Sequence, residues 1–484
     1  MMSKFGYRSV LVLAVLLLAL VLCTPQSVLA VVGPEPGDGV GKAVLAAERI
    51  GVVSAIMPES ATAPTLEPFV YDTLVAGFLA QVEEARVYSY TGNLSGEWPV
   101  TVGGTPYTIT TRYTASGTPI AKATQYVYEF MEGLGLDVSY HHWSRSGYTG
   151  RNVIGELPGL TRPAEIVLIT AHLDSVSNVS GHNPAPGADD NASGSVGVMT
   201  AAEILSDYDF ARTLRFVLFT GEEQGLHGSY AYAQSVAFAG EEIVAVYNMD
   251  MIAWDDLGEP IVRLHTRESD SPGYSADLAI AGVFTNVVAS YGLSDDLEPV
   301  IDADAIWASD HAPFWGQGYP AILAIEDDAH DFNDYYHTTQ DLLAQLNMDY
   351  YTAYVRASVG TAAHLATPLH VTLKPVRVEQ RAFLGRTSIY TLMLHNWDAL
   401  EHGCTLSLEE GEWTVSQAPP PSVQLAAEAE EPVVIGVSVP ESALPGATDT
   451  LTVTAGCESA PLLQAVLTTT ALEVFYLPLV VAGW

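Results

Sequence analysis

The sequence predicts an α/β fold, a mainly parallel twisted central sheet flanked by helices, followed by a C-terminal all-β sandwich domain. Two observations carry that expectation. First, NVIGEL, EIVLITA, LRFVLFT, EIVAVYNMD and PAILAIE are continuous apolar runs of strand length. Such runs mark strands covered on both faces. The segments between them, such as SGSVGVMTAAEILSDY and the stretch from His227 to Ala239, can supply the covering helices. Second, the texture changes near residue 368. HVTLKPVRVEQ, TSIYTLMLHNW, CTLSLEEGEWTVS, EPVVIGVSVP and TDTLTVTAG are short β-branched runs broken by Pro, Gly and Asn, the pattern of a sandwich.

Residues 1–30 read as a signal peptide. Lys4 and Arg8 precede LVLAVLLLALVL, and Ser27-Val28-Leu29-Ala30 offers the small residues a signal peptidase reads. That apolar core is shorter than the about 20 residues a bilayer span needs, so cleavage and secretion are expected. Cys23 in LVLCTP raises a lipoprotein anchor as the weaker alternative, against which stands the bulky Leu22. Residues 31–65, with PEPGDG and PESATAPTLEP as breakers, read as a propeptide or a loosely ordered N-terminal arm.

Residues 66–367 form the α/β domain. Its first clear helix lies within 119–138, where apolar spacing is helical until Gly133 and Gly135 stop it. Residues 368–484 form the sandwich, and the apolar end VFYLPLVVAGW reads as a terminal strand or a sorting tail. With Cys23 removed, Cys404 and Cys457 remain; two cysteines in an exported chain suggest one disulfide.

Composition bounds the function. Hydrophobic residues at 48% and charged residues at 16% describe a well-packed globular chain of 484 residues, long enough for two or three domains. Lys and Arg number 19 against 57 Asp and Glu; loss of Lys4 and Arg8 leaves 17 against 57, near −40. So acidic a surface repels phosphate backbones and anionic lipid, which argues against nucleic acid and membrane partners and fits a soluble extracellular protein. No pattern specifies an oligomeric state.

The acids and imidazoles fall where an open α/β sheet builds its ligand crevice, at the carboxyl ends of strands. EIVLIT runs into His172-Leu173-Asp174-Ser175, LRFVLFT into Gly221-Glu222-Glu223, and EIVAVYN into Met249-Asp250-Met251. PGADDNASG brings Asp189 and Asp190, and DFNDYYHTTQD brings His337. One strand-terminal Asp is usually a cap or turn residue. A gathering of them would be electrostatically costly without a cation, since each carboxylate raises its neighbours' pKa. Imidazole plus carboxylate, without thiolate, suits zinc. Glu222 and Glu223 are neighbours on an extended chain and point to opposite sides, so they should have different duties.

The ordered segments His172-Leu173-Asp174-Ser175, Gly187 to Gly194, Gly221 to Gly225, Asn248 to Met251 and Tyr336 to Asp341 make the chain resemble the secreted co-catalytic dizinc aminopeptidases, the leucyl aminopeptidase and aminopeptidase Y type of zinc exopeptidase. The resemblance covers about residues 68–365. It implies two Zn2+ per chain. His172 and Asp250 would hold the first, Glu223 and His337 the second, and Asp190 would bridge them. In the family that Asp is joined to its successor by a cis peptide, here Asp190-Asn191. Asp174 would orient the His172 imidazole, and Glu222 would be the general base towards a water that the metals activate. Tyr336 would support the developing oxyanion. Peptide or protein N-termini would be the substrate.

Other polar residues carry less. Ser309-Asp310-His311 resembles a family segment that shapes the pocket wall, His182 and His330 read as surface or core histidines, and Ser193 reads as a helix cap. Relatives of the same fold include carboxypeptidases, which need a basic cluster for the substrate carboxylate; Arg263 and Arg267 are the nearest candidates. A glutaminyl cyclase reading is opposed by the full five-ligand set. A non-catalytic peptide-binding protein would be expected to lack a ligand or the base, and none is missing.

Overall fold

The computed structural model describes residues 66–409, 411–458 and 461–473. The expected signal peptide, the arm at 31–65 and the VFYLPLVVAGW tail lie outside them. Two helices, α1 (Thr73–Ala80) and α2 (Glu84–Ser95), lead to a small hairpin, β1 (Val100–Val102) and β2 (Thr105–Tyr107), and then to α3 (Thr118–Gly133). There follow β3 (Asp137–Arg145), β4 (Tyr148–Leu157), β5 (Arg162–His172), α4 (Gly194–Leu205), β6 (Arg212–Phe219), α5 (His227–Ala239) and β7 (Glu242–Met249). Then come β8 (Ile261–His265), α6 (Tyr274–Ser290), β9 (Glu298–Asp302), α7 (Ala312–Gly316), β10 (Ala321–Ile325) and α8 (Met348–Ala366).

Strands β3 to β10 form one eight-stranded sheet in the order β3-β4-β6-β5-β7-β10-β8-β9. Its centre, β6-β5-β7-β10, is parallel throughout. Antiparallel pairing enters at β3-β4-β6 on one side and at β10-β8 on the other, so the sheet is mixed, with parallel pairs at its core. The central strands are apolar on both faces because both are covered. Along β5, Val167, Ile169 and Ala171 enter the larger core with α1, α2, α4, α6 and α8, while Ile166 and Leu168 enter a second core with α5 and α7. Along β6, Leu214, Phe216 and Leu218 alternate in the same way with Val217 and Phe219. That is the period of two expected of a strand between two helical layers.

The chain leaves β5 through α4 to reach β6 on one side, then returns through α5 to reach β7 on the other. The carboxyl end of β5 is therefore a switch point, where an open sheet leaves a crevice.

Residues beyond α8 fold as two facing sheets. One holds β11 (Val371–Lys374), β13 (Thr387–Asn396), β17 (Glu430–Ser438) and β15 (Thr414–Gln417). The other holds β12 (Arg377–Phe383), β19 (Leu463–Leu472), β18 (Thr448–Cys457), β14 (His402–Glu409) and β16 (Ser422–Leu425). Tyr390, Leu392 and Leu394 of one sheet share a core with Leu451, Val453 and Leu467 of the other. Cys404 and Cys457, directly opposite on β14 and β18, are joined as a disulfide. The sandwich meets the loops at the amino ends of the parallel strands. Lys374 pairs with Asp209, the Leu369 N–H donates to the Asp209 carbonyl at 2.9 Å, and the Tyr208 and Trp397 rings lie 5.1 Å apart.

Candidate metal centre

The carboxyl ends of β5, β6 and β7 and the loop after β10 converge at the switch point. His172, the last residue of β5, is 1% exposed. Its Nε2 lies 3.1 Å from Asp250 Oδ1 and 3.2 Å from Asp190 Oδ1. His337 Nε2 lies 3.1 Å from the other oxygen of Asp190, Oδ2, and 2.8 Å from Glu223 Oε2. Two sets of donors thus share one carboxylate: His172, Asp190 and Asp250, and Asp190, Glu223 and His337.

Local structure explains how Asp190 can face both ways. It sits in a tight turn, Ala188–Ser193, with a cis peptide to Asn191. The turn is held from outside by Asp341, whose two oxygens accept from the N–H groups of Asp189 and Asp190 at 2.9 and 3.0 Å. Asn191 closes its other end, donating to the Met249 carbonyl at 3.0 Å and accepting from the Gly194 N–H at 2.8 Å. Asp189 points away from the imidazoles and stitches loops, accepting from Ala253 N and Asn333 Nδ2. Ser193, read from sequence as a helix cap, does not cap α4 with its side chain. Its hydroxyl instead donates to the Asp189 carbonyl and accepts from Ile252 N.

After β6 the chain turns at Gly221, where φ is +79° and a Cβ would lie 2.6 Å from Trp143. This turn separates the two glutamates. Glu223 faces His337, and Glu222 feels His172 and then Asp250 most strongly among the charges around it. The Glu222 N–H donates to Asp174 Oδ1 at 3.3 Å, while Thr114 Oγ1 donates to Asp174 Oδ2 at 2.9 Å. Asp174 therefore fixes the Glu222 turn through its carboxylate and meets His172 through its main chain. His172 Nδ1 faces the Asp174 carbonyl oxygen at 3.1 Å, and the Asp174 carboxylate stands at 3.8 Å.

Asp250 follows β7 and receives Ser309 Oγ on Oδ2 at 2.5 Å. That places the Ser309-Asp310-His311 segment directly behind a candidate ligand. Tyr336 stacks on the His337 ring at 3.6 Å, against Met251, Leu323 and Ile325. Burial, then the charges of Asp190 and Glu223, push its phenol pKa up, so the hydroxyl keeps its proton as a donor.

The electrostatics call for a cation. Burial first, then Asp250, Asp310 and Glu223, drive the Glu222 pKa well above the usual carboxylate range. Burial and Asp190 push Glu223 up to about 7. Burial would raise Asp190 also, but the His172 and His337 imidazoles beside it outweigh that and hold its pKa below normal. Meanwhile Glu223 Oε1 and His337 Nε2 are buried without a directional hydrogen bond. So dense a set of nitrogen and oxygen donors, two of them left without such a partner, suits a bound cation, and its chemistry suits zinc.

The motifs did not disclose several residues of this environment. Asp341 closes the Tyr336–Asp341 motif, yet only the fold brings it under the Asp190 turn. Glu326, fully buried just beyond β10, accepts from Trp254 N at 3.0 Å and faces Asp189. Neither role has a signal in sequence spacing.

Residues 152–361 match the model of peptidase family M28. The chain is 31% identical over 230 residues to leucine aminopeptidase 1 of Arthroderma otae, covering 45% of this chain and 59% of that one. It is 28% identical over 237 residues to leucine aminopeptidase 1 of Leptosphaeria maculans, covering 47% and 57%. The chain thus spans well under two thirds of either relative. Among solved structures, Legionella pneumophila LapA aminopeptidase superposes with a TM-score of 0.50 at 20% identity, covering 62% of this chain and 78% of that one. LapB from the same organism gives 0.51 at 18%, covering 62% and 76%. At such identities the likeness speaks for the fold.

Proposed function

We propose that the chain, whose residues 152–361 match the model of peptidase family M28, is a secreted aminopeptidase that hydrolyses the N-terminal bond of peptides at a centre of two zinc ions. One observation carries the reading. The two oxygens of Asp190 each face a different imidazole, His172 and His337, and each imidazole has a second carboxylate beside it, Asp250 or Glu223. His172 and Asp250 would hold one ion, Glu223 and His337 the other, and Asp190 both.

When bound, such ions polarise the scissile carbonyl and lower the pKa of a water. The chain's residues do the rest. Glu222 lies beside both metal sets without belonging to either. As general base it takes the proton of the attacking water and delivers it to the departing amine. Asp174 holds the Glu222 turn by the N–H bond described above. Tyr336, a protonated donor stacked on His337, steadies the charge that develops on the carbonyl oxygen.

The carboxypeptidase alternative loses its candidates for a carboxylate contact. Arg263 donates to Asp327 and Asp302, at 2.6 Å each, and Arg267 donates to both oxygens of Asp277, at 2.6 Å each. Peptides with free amino termini and the same peptides N-acylated should separate the readings. We expect hydrolysis of the free series alone, lost on chelation and restored by zinc; equal rates on the acylated series would refute an aminopeptidase.

A further inference from the structure

Arg112 lies between the β1-β2 hairpin and α3 and is completely buried. Its guanidinium donates to four main-chain carbonyls: Nε to Leu173 at 2.6 Å, Nη1 to Leu94 and to Pro186 at 2.7 Å each, and Nη2 to Gly187 at 2.8 Å. Leu173 stands between His172 and Asp174, while Pro186 and Gly187 lead into the turn that carries Asp190. One planar fork thus ties together the two segments that bear His172 and Asp190, with α2 as its third anchor. A lighter link runs beside it, since the Arg112 N–H donates to Ser175 Oγ at 3.3 Å and Ser175 Oγ donates to the Ala185 carbonyl at 2.9 Å.

The approach is built for this side chain. Gly187 has φ +50°, and a Cβ there would lie 2.9 Å from Nη2 and 2.3 Å from the Asp190 carbonyl. A guanidinium taken out of water without a touching carboxylate is costly. Carbonyl dipoles and the more distant charges of Asp341, Asp190, Asp174 and Glu223 offset that cost here. Burial lowers its pKa to about 10, which leaves it charged at neutral pH.

We propose that Arg112 is a positioning residue of the metal centre, whose four-carbonyl fork sets the spacing between the His172 strand end and the Asp190 turn. This rests on the reading of the site as a zinc centre. A lysine would keep the charge but not the planar fork. The test is calorimetric titration of the zinc-depleted wild type, Arg112→Lys and Arg112→Met with zinc, alongside thermal melts and the visible spectra of the cobalt-loaded proteins. We expect Arg112→Lys to melt cooperatively but to bind zinc 10- to 100-fold more weakly, roughly the effect of losing a residue that orients ligands. Its cobalt spectrum should also be altered. Arg112→Met should bind no better. A zinc affinity and cobalt spectrum of Arg112→Lys indistinguishable from wild type would overturn the proposal, as would tighter binding by Arg112→Met, which would make Arg112 a mere repulsive charge. Failure of both variants to fold in the presence of zinc would assign Arg112 to the fold and overturn it equally. A wild-type chain that takes up no zinc would instead sink the proposed function beneath it.

Discussion

At the scale of single residues, adjacent side chains at one turn divide the chemistry. Glu223 is committed to His337, while Glu222 stays free of both donor sets yet lies close enough to feel His172 and Asp250. Replacing Glu222 by Gln keeps shape and hydrogen bonding but removes the base. We expect zinc content to be unchanged and kcat to fall by roughly 10²- to 10⁴-fold, the range for general base catalysis. Steady-state kinetics with metal analysis checks this, and a variant of near-normal turnover would remove Glu222 from the mechanism. These residues were legible in the sequence because each ends a strand or sits in a short motif. Arg112 and Glu326 were not, because their partners are main-chain atoms or side chains brought near only by folding. Asp174 was legible as a neighbour of the centre, but not its division of labour: its carbonyl serves His172 and its carboxylate serves Glu222.

At the scale of elements, the strand runs were readable because burial on both faces makes a strand apolar without interruption. Five such runs appear as β4, β5, β6, β7 and β10. Helix α5 spans His227–Ala239, the stretch that sequence spacing offered as a covering helix. Helix α8 was missed for a physical reason: from Tyr350 to Ala366 nearly every residue is buried, so it lacks the polar stripe that marks a surface helix. Strands β8 and β9 were missed as well, because IVRLH and EPVID are broken by charged residues and proline and form no continuous apolar run. The element that matters most for the site is neither helix nor strand but the Ala188–Ser193 turn. Asp341→Ala would strip the acceptors from two buried N–H groups. An unsatisfied buried donor costs about 1–3 kcal/mol, so we expect the zinc-loaded variant to lose about that much in urea unfolding and to hold zinc less tightly. Unchanged stability and affinity would show that the turn holds itself.

At the scale of the whole molecule, the sandwich is fastened to the edge of the α/β layer opposite the candidate metal centre, through a chain of imidazoles and carboxylates. His370 Nε2 lies 3.0 Å from Asp72 Oδ2, and its Nδ1 lies 3.2 Å from Asp398 Oδ2, which also meets His402 at 3.3 Å. Asp72 further caps α1, accepting from Leu74 N at 2.8 Å. The hydrogen bond to Asp72 raises the His370 pKa despite burial, so its stabilisation is complete below the unfolded value of about 6.5 and fades as pH rises through the folded one. Burial works to raise Asp72, but the His370 bond and charge prevail and lower it, so its share is present above about 3.9 and fades as pH falls through the lowered value. His370→Ala should therefore lower Tm most at about pH 5 to 6, with the gap closing at alkaline pH; a pH-independent gap would mean packing alone. Within the sandwich the disulfide closes a separation of 53 residues, and its loss in Cys404→Ala/Cys457→Ala should cost roughly 2–4 kcal/mol by calorimetry. An unchanged melt would remove the bridge from the stability of the sandwich. Whether two metal sets share Asp190 in one catalytic centre is read from the zinc content of the purified chain and of His337→Ala. We expect two zinc ions per chain in the wild type and one in the variant, with activity lost alongside the second ion. One ion in a fully active wild type, or two retained by His337→Ala, would contradict it.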